Sequence, residues 1–385
     1  MKICIATGTR AEYGLLKPLI SAIDNDINFK LQILATGAHL SPEFGLTYQV
    51  IEKDGFKIDK KVEMLLSSDT STSIVKSMGL GMIGFAEALY ELSPDILVIL
   101  GDRYEMLSIA SSALIFNIPI VHIHGGEITE GAYDDAIRHS ITKMSHLHFT
   151  STEEYKNRII QLGENPKNVY NVGAIGIDSI KNLPLLSKEE LEKDLNIKFK
   201  EFNYQVTFHP STLDKESPEN QFQILLNAIE LQENSFFVFT KSNADTGGRI
   251  INQMIDDYVN KNPQKAIAFT SLGNLRFLSL VKICDAIVGN SSSGIIEASS
   301  LKTATINIGH RQKGRIQANT VVNTSVDVKE ISQAFELIKS SEFKVRIKKG
   351  INPYGEGNAT NQIMNILKNM DIHSFQTKPF FDIKS

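Results

Sequence analysis

Short apolar runs alternate with helix-length segments along nearly the whole chain, and each run breaks off at a glycine or a knot of polar residues. Lys2 to Thr7 is the first such run, closed by Gly8, and the pattern after it predicts a helix from about Tyr13 to Asp24. Phe29 to Thr36 follows, then the loop TGAHLSPEFG. Helical patterns at Thr72–Leu92, Glu105–Asn117, Asp134–Met144 and Thr152–Leu162 are separated by runs at Ile96–Leu100, Ile118–Ile123 and His148–Thr150. Runs this short and this continuously apolar are strands covered on both faces. Strands joined through helices form right-handed βαβ units, so the chain is expected to build α/β domains around parallel sheets.

The rhythm breaks between Asn182 and Asn203, where LSKEELEKDLN is highly charged and carries a capping box, Ser187 with Glu190 three residues later. It then restarts: Tyr204–Phe208, a helix over Phe222–Leu231, Phe236–Thr240, a helix over Arg249–Lys261, and Ala266–Thr270. At 385 residues the chain is expected to hold two doubly wound, Rossmann-like domains, residues 1–180 and 181–357. Its composition, 42% hydrophobic and 22% charged with a net charge of −4, gives no support to nucleic-acid or membrane-surface binding. The Ala113–Ile123 stretch is interrupted by Asn117, Pro119 and His122, and the N-terminal apolar run is too short for a signal peptide. Cys4 and Cys284 both lie in or beside apolar stretches and read as buried free thiols, which fits a cytoplasmic protein.

Ligands of open α/β sheets lie beyond the carboxyl ends of the strands, so the polar residues there are the candidates. They are Gly8, Arg10 and Glu12 after the first strand, Asp102 and Arg103 in GDRYE, and His122, His124, Glu127, Asp134 and Asp135 in HIHGGEITEGAYDD. The second half offers His209 in FHP, Asn243 and Asp245 in TKSNAD, and the stretch GNSSSGIIEASS. In that stretch a Gly/Ser turn is expected to open a helix over Ile295–Ser300, with Glu297 one turn in and unpaired N–H groups facing an anion such as a diphosphate. Arg311 and Arg315 follow the next apolar run, Ala304–Ile308. Each residue also has a plain structural role open to it: Asp102 as a helix cap or ion-pair partner of Arg103, His122 as a core histidine, the glycines as turns. Acids, bases and arginines recurring at one strand end after another favour a site. No GxGxxG, GxxxxGK[ST] or GxSxG occurs. His122 and His124 face opposite sides of a strand, so no metal is expected.

Taken in order, TGTRAEYG, GDRYE, HIHGGE, IRHSITKMSHLHF, IQLGE, FHP, SNAD, GNSSSGIIE and INIGHRQKGR resemble the hydrolysing nucleotide-sugar 2-epimerases. The resemblance runs from residue 1 to about 370 and implies a GT-B-like pair of facing Rossmann-like domains with an interdomain cleft, the helix at about 358–372 returning to the first domain. It implies removal of a nucleoside diphosphate from an N-acetylated sugar nucleotide with inversion at carbon 2, without metal or redox cofactor. It implies nucleotide and phosphate contacts for Arg10, Arg103, His209, Asn243, Ser291, Ser292, Glu297 and Arg311, with Ser293 and Gly294 in the same loop. Asp102 and Asp134 resemble two of the family's essential acids, and His209 is a catalytic candidate as well. Where many relatives carry an acid in HIE, this chain has His124, with Glu127 as the nearest carboxylate, and either is a candidate for that role.

Two further stretches, HLSPEFGLTYQVIEKDGF and EMLLSSDTSTSIVKSMGLGMIGF, are most similar to the branch acting on nucleotide-linked N,N′-diacetylbacillosamine, which feeds legionaminic acid synthesis. The rival substrate is UDP-N-acetylglucosamine, supplying sialic acid synthesis. A GT-B glycosyltransferase and a nucleotide-sugar binding protein without turnover are the alternatives of other classes. A homodimer or homotetramer is expected, and uridine against guanosine is left open.

Overall fold

The computed structural model describes residues 1–68, 70–129, 133–210, 216–242, 247–375 and 377–383. The chain forms two compact units. Unit 1 comprises Met1–Glu127, Asp134–Ser179 and Tyr354–Ser385; unit 2 comprises Ile128–Tyr133 and Ile180–Pro353.

The strands of unit 1 are β1 (Lys2–Thr7), β2 (Lys30–Thr36), β3 (Lys60–Val62), β4 (Ile96–Leu100), β5 (Ile120–Ile123), β6 (Leu147–Thr150) and β7 (Val169–Asn171). They form one sheet in the order β3-β2-β1-β4-β5-β6-β7, every pair parallel. Every residue of β4 and β5 is buried, because helices cover both faces. Ile3 and Ile5 point into one core with Leu16 and Ile20 of the helix Arg10–Asp24 and Ile363 and Leu367 of the helix Ala359–Asn369. Cys4 and Ala6 point the other way, onto Phe85 of the helix Ser71–Leu92 and Ile109 of the helix Tyr104–Ile115. The C-terminal helix is therefore part of the N-terminal core. Its start is fixed by Asp178, whose carboxylate accepts from the Ala359 and Thr360 N–H groups at 2.9 and 2.6 Å.

Unit 2 repeats the plan with β8 (Phe202–Thr207), β9 (Ser235–Thr240), β10 (Ala266–Phe269), β11 (Ala286–Gly289), β12 (Ala304–Ile308) and β13 (Val321–Thr324). Its order, β10-β9-β8-β11-β12-β13, is again wholly parallel. Tyr204 stacks on Phe237 and meets Phe335 edge-on, at centroid distances of 5.1 and 4.8 Å.

Two features differ from expectation. The first helix begins at Arg10, not Tyr13, because Thr9 and Glu12 form a capping box. The edge strands β3 and β7 are three residues each, too short for a periodic signal. The final segment is held by its own chain: Lys378 Nζ meets Glu164 at 2.8 Å and the Lys143 carbonyl at 2.6 Å, and Phe381 N–H donates to the Gly163 carbonyl at 2.9 Å. Both cysteines are buried and free, as expected. Among the described residues no helix is long and apolar enough to cross a membrane.

Three histidines with no exposed surface, His39, His122 and His148, sit within these cores. Burial lowers all three, His39 to about 4 and His122 to about 3. A histidine protonates more readily in the unfolded chain, so its contribution is complete above about pH 6.5 and shrinks as the pH falls toward the folded value. Glu12 opposes this, since burial pushes its carboxyl up to about 7 and protonation there favours the fold. Three groups outweigh one. Urea unfolding should show several kcal/mol less stability at pH 5 than at pH 7; equal stability would contradict neutral buried imidazoles.

Candidate active site

In unit 1 the polar residues gather where β4, β5 and β6 leave the sheet. β4 runs into Gly101-Asp102-Arg103. The two expected neighbours do not pair with each other. Arg103 turns to Glu105, Nη2 lying 3.1 Å from Oε1, while Asp102 pairs with Arg138 of the helix Asp134–Met144. Nor does Asp102 cap the following helix, whose N-cap is Arg103. The capping reading of Asp102 thus fails on geometry, and its carboxylate remains 21% exposed. His122 does take the structural role: its Nε2 meets the Gly101 carbonyl at 2.8 Å and its Nδ1 meets Thr142 Oγ1 at 3.2 Å. It ties the end of β4 to β5.

After β5 the chain makes a strained loop. His124 adopts a left-handed φ of 65°, uncommon for a residue with a side chain. Gly126 is left-handed as well, and a Cβ there would run into the Tyr155 carbonyl. The loop is held from several sides: His124 N–H donates to the Phe149 carbonyl at 2.8 Å, and Arg158 and Arg138 donate to the carbonyls of Gly126 and Glu127 at 2.5 and 3.0 Å.

The two candidates in this loop have different jobs. His124 Nε2 lies 3.3 Å from the Ile175 N–H, which can only donate, so Nε2 accepts and Nδ1 carries the proton. Nδ1 lies 3.1 Å from Glu127 Oε1, which also accepts from Ser151 Oγ at 2.8 Å. His124 is therefore a fixed donor and Glu127 the buried carboxylate it orients. Asp134 opens the next helix and is partly exposed; its neighbour Asp135 lies 3.5 Å from Arg138. Arg10 begins the first helix at the end of β1, partly exposed. Glu12 is the capping-box acid, accepting from the Gly8 and Thr9 N–H groups at 2.7 and 3.1 Å.

In unit 2 the organising residue is one that sequence reading passed over. Asn290, directly after β11, accepts from the His209 N–H at 2.7 Å and donates to the His209 carbonyl at 2.8 Å. Its own carbonyl accepts from Arg311 at 3.1 Å and Gln312 at 2.8 Å. Asn252 grips Ser242 in the same reciprocal way, at 2.7 and 3.3 Å, and Ser242 Oγ meets His209 Nδ1 at 3.1 Å. Four strand ends, of β8, β9, β11 and β12, are so locked together. The available signal was an asparagine at a strand end, whose amide can satisfy a neighbouring N–H and C=O at once.

The Gly/Ser stretch departs from expectation. Its helix is Ser292–Ile296, five residues, with Ser291 as N-cap and Glu297 as C-cap. Glu297 is thus not one turn into a longer helix, and so short a helix sums few peptide dipoles. Ser291, Ser292 and Ser293 are partly exposed. Gly294 is buried, its N–H bonded to the Ser291 carbonyl and its own carbonyl to Thr305 Oγ1 at 2.6 Å, and a Cβ there would meet the Thr305 side chain. Arg315 donates to the Ile128 carbonyl at 2.8 Å and to Thr129 Oγ1 at 3.3 Å. Asn243 and Asp245 lie outside the described residues. Among the described residues no three His, Cys, Asp or Glu side chains group to hold a metal ion.

Residues 21–368 match the sequence pattern of the UDP-N-acetylglucosamine 2-epimerase family. The chain is 48% identical over 383 residues to a GDP/UDP-N,N′-diacetylbacillosamine 2-epimerase (hydrolyzing) of Campylobacter jejuni, covering 99% of both chains. It is 39% identical to the polysialic acid biosynthesis protein P7 of Escherichia coli, covering 99% of this chain and 97% of that one. Among solved structures, the UDP-GlcNAc 2-epimerase of Neisseria meningitidis bound to UDP-GlcNAc superposes with a TM-score of 0.78 at 20% identity, over 96% of this chain and 100% of the other. That likeness is one of fold.

Asn290→Ala would strand the buried N–H and carbonyl of His209. A loss of roughly 2–3 kcal/mol is expected in urea unfolding followed on unit 2; an unchanged midpoint would mean the clamp contributes nothing.

Proposed function

The chain belongs to the UDP-N-acetylglucosamine 2-epimerase family, and from that premise we propose a hydrolysing 2-epimerase acting on UDP- or GDP-linked N,N′-diacetylbacillosamine. The products are the nucleoside diphosphate and 2,4-diacetamido-2,4,6-trideoxymannose, a precursor for legionaminic acid synthesis in the cytoplasm. Identity to the Campylobacter relative along the full chain supports the substrate. The observation that carries the chemistry is the cluster at the ends of β4 and β5, where Asp102 and Asp135 pair with one buried arginine that also holds the Glu127 backbone. A second reading is the same reaction on UDP-N-acetylglucosamine for sialic acid synthesis, and the Escherichia coli relative, named for polysialic acid biosynthesis, supports that pathway.

The reaction divides into an elimination and a hydration. A carboxylate takes the proton from carbon 2, the bond from carbon 1 to the diphosphate oxygen breaks with its electron pair, and a carbon 1–carbon 2 double bond forms. Water then adds its oxygen to carbon 1, and carbon 2 is reprotonated from the opposite face. The net change is hydrolysis with inversion at carbon 2. It is redox-neutral and calls for no electron carrier.

The proton on carbon 2 is weakly acidic, so the leaving group must be strongly stabilised. We assign that task to Arg10, Arg103, His209, Ser291, Ser292, Ser293 and Arg311, with Asn243 added from the motif, and we assign Glu297 to accepting hydrogen bonds from the ribose hydroxyls. Charge-assisted hydrogen bonds contribute about 1.5–3 kcal/mol each. Proton transfer requires acids on two faces of the sugar. We assign these to Asp102, Glu127 and Asp134, with His124 orienting Glu127 as its donor partner.

We propose also that the enzyme is a homodimer or homotetramer. The helix Ser71–Leu92 exposes Val75, Ile83 and Tyr90 by 66%, 66% and 75%, an apolar stripe suited to a second copy. Sedimentation should find no stable monomer at micromolar concentration; a monodisperse monomer would refute this. For the reaction, turnover in deuterium oxide should place one solvent deuterium at carbon 2 of the released sugar. A product protonated there would point to direct cleavage at carbon 1, by a hydrolase or by a transferase leaking to water.

A further inference from the structure

Arg138 is among the largest side chains in the molecule without meaningful exposure, at 2%. A guanidinium cannot shed its proton, so its burial must be compensated by charge and by acceptors at fixed positions. Groups of unit 1 provide that compensation. Nη2 pairs with Asp102 Oδ2, while Nη1 donates to the Glu127 carbonyl at 3.0 Å and lies 3.5 Å from Asp135 Oδ1. The two nitrogens of one rigid plane thus reach two strand ends, a carboxylate after β4 and a main-chain carbonyl after β5. The Glu127 side chain is meanwhile turned toward His124 and Ser151. Fold maintenance alone does not call for this. His122 already joins β4 to β5 through the Gly101 carbonyl, and the helix carrying Arg138 packs by Ile141 in the core.

We propose that Arg138 is the positioning residue of the site. It fixes one oxygen of Asp102 and so aims the other, and it sets the distance between the Asp102 carboxylate and the loop that carries Glu127. Arg138 itself transfers no proton and touches no reacting atom. The proposal rests on the reading of Asp102 as an acid/base group of the epimerase. A lysine in its place keeps the charge but has one nitrogen, which cannot hold both strand ends at their present spacing. A displacement of about 1 Å at a reacting group costs on the order of 100-fold in rate.

The test compares Arg138→Lys in two backgrounds, native and Asp102→Asn, with kcat, KM and UDP affinity measured for each and folding checked by circular dichroism. In the native background kcat should fall about 100-fold, with KM and UDP affinity changed less than about twofold. With Asp102→Asn already present, the same substitution should lower the residual kcat by less than about threefold, because there is no carboxylate left to aim. Equal losses in both backgrounds, or full activity of folded Arg138→Lys, would overturn the proposal. If the lysine variant does not fold, Arg138→Gln, shorter and neutral, carries the same comparison with the same two outcomes. A fully active Asp102→Asn enzyme would instead show that the acid/base reading of Asp102 fails, which the single variant reveals independently of Arg138.

Discussion

Parallel pairing is the constraint on which everything else in this molecule depends. When all strands of a sheet run one way, every carboxyl end lies along the same edge, and every chain segment leaving that edge begins with backbone groups the ladder no longer satisfies. In both units these groups are satisfied by side chains reaching from one strand end to the next. His122 reaches from β5 to Gly101 after β4; Asn290 reaches from β11 to His209 after β8. The polar residues at the edge are thus first a solution to a backbone problem. The carboxylates Asp102 and Glu127 stand on that solved framework.

The framework also explains the division of labour among buried charges. Glu105, with no exposed surface, is matched by Arg103, and Glu164 by Lys143, His148 and Lys378. Burial acts to raise the Glu164 carboxyl, yet the bonds from His148, Lys143 and Lys378 overcome it and hold it at about 2. At Glu12 burial, helped by the like charge of Glu105, wins over the Arg103 charge and two backbone N–H donors and leaves the carboxyl at about 7. Buried acids of one unit are thus driven in opposite directions by what faces them.

The sequence was most legible where burial was uniform. The apolar runs at Ile96–Leu100 and Ala304–Ile308 became β4 and β12 with those bounds, since a strand covered on both faces leaves no other reading. Legibility failed where structure is imposed from outside. Lys60–Val62 carries two lysines and is a strand because β2 offers it an edge. Asp102 and Glu127 are visible as motif positions in the chain alone, but their partners are not. Nothing in the spacing says that Asp102 turns away from Arg103 to an arginine 36 residues on, or that His124 donates to Glu127. Asn290 looks in the sequence like one more member of a serine-rich loop, and Glu297 falls within a helical pattern although the helix ends one residue before it. Side-chain direction in a loop is set by tertiary neighbours that no local pattern encodes.

The return of the C-terminal segment to the first unit carries a consequence for how the protein is made. Ile363, Met364 and Leu367 fill the core that Ile3, Ile5 and Leu16 begin, and Asp178 waits for the N–H groups of Ala359 and Thr360. As the chain leaves the ribosome, unit 2 is complete in sequence at Pro353, whereas unit 1 still exposes an apolar face. The half made first is finished last. A stalled or prematurely ended chain would therefore carry a closed second unit and an open first one, the form that chaperones bind and proteases clear.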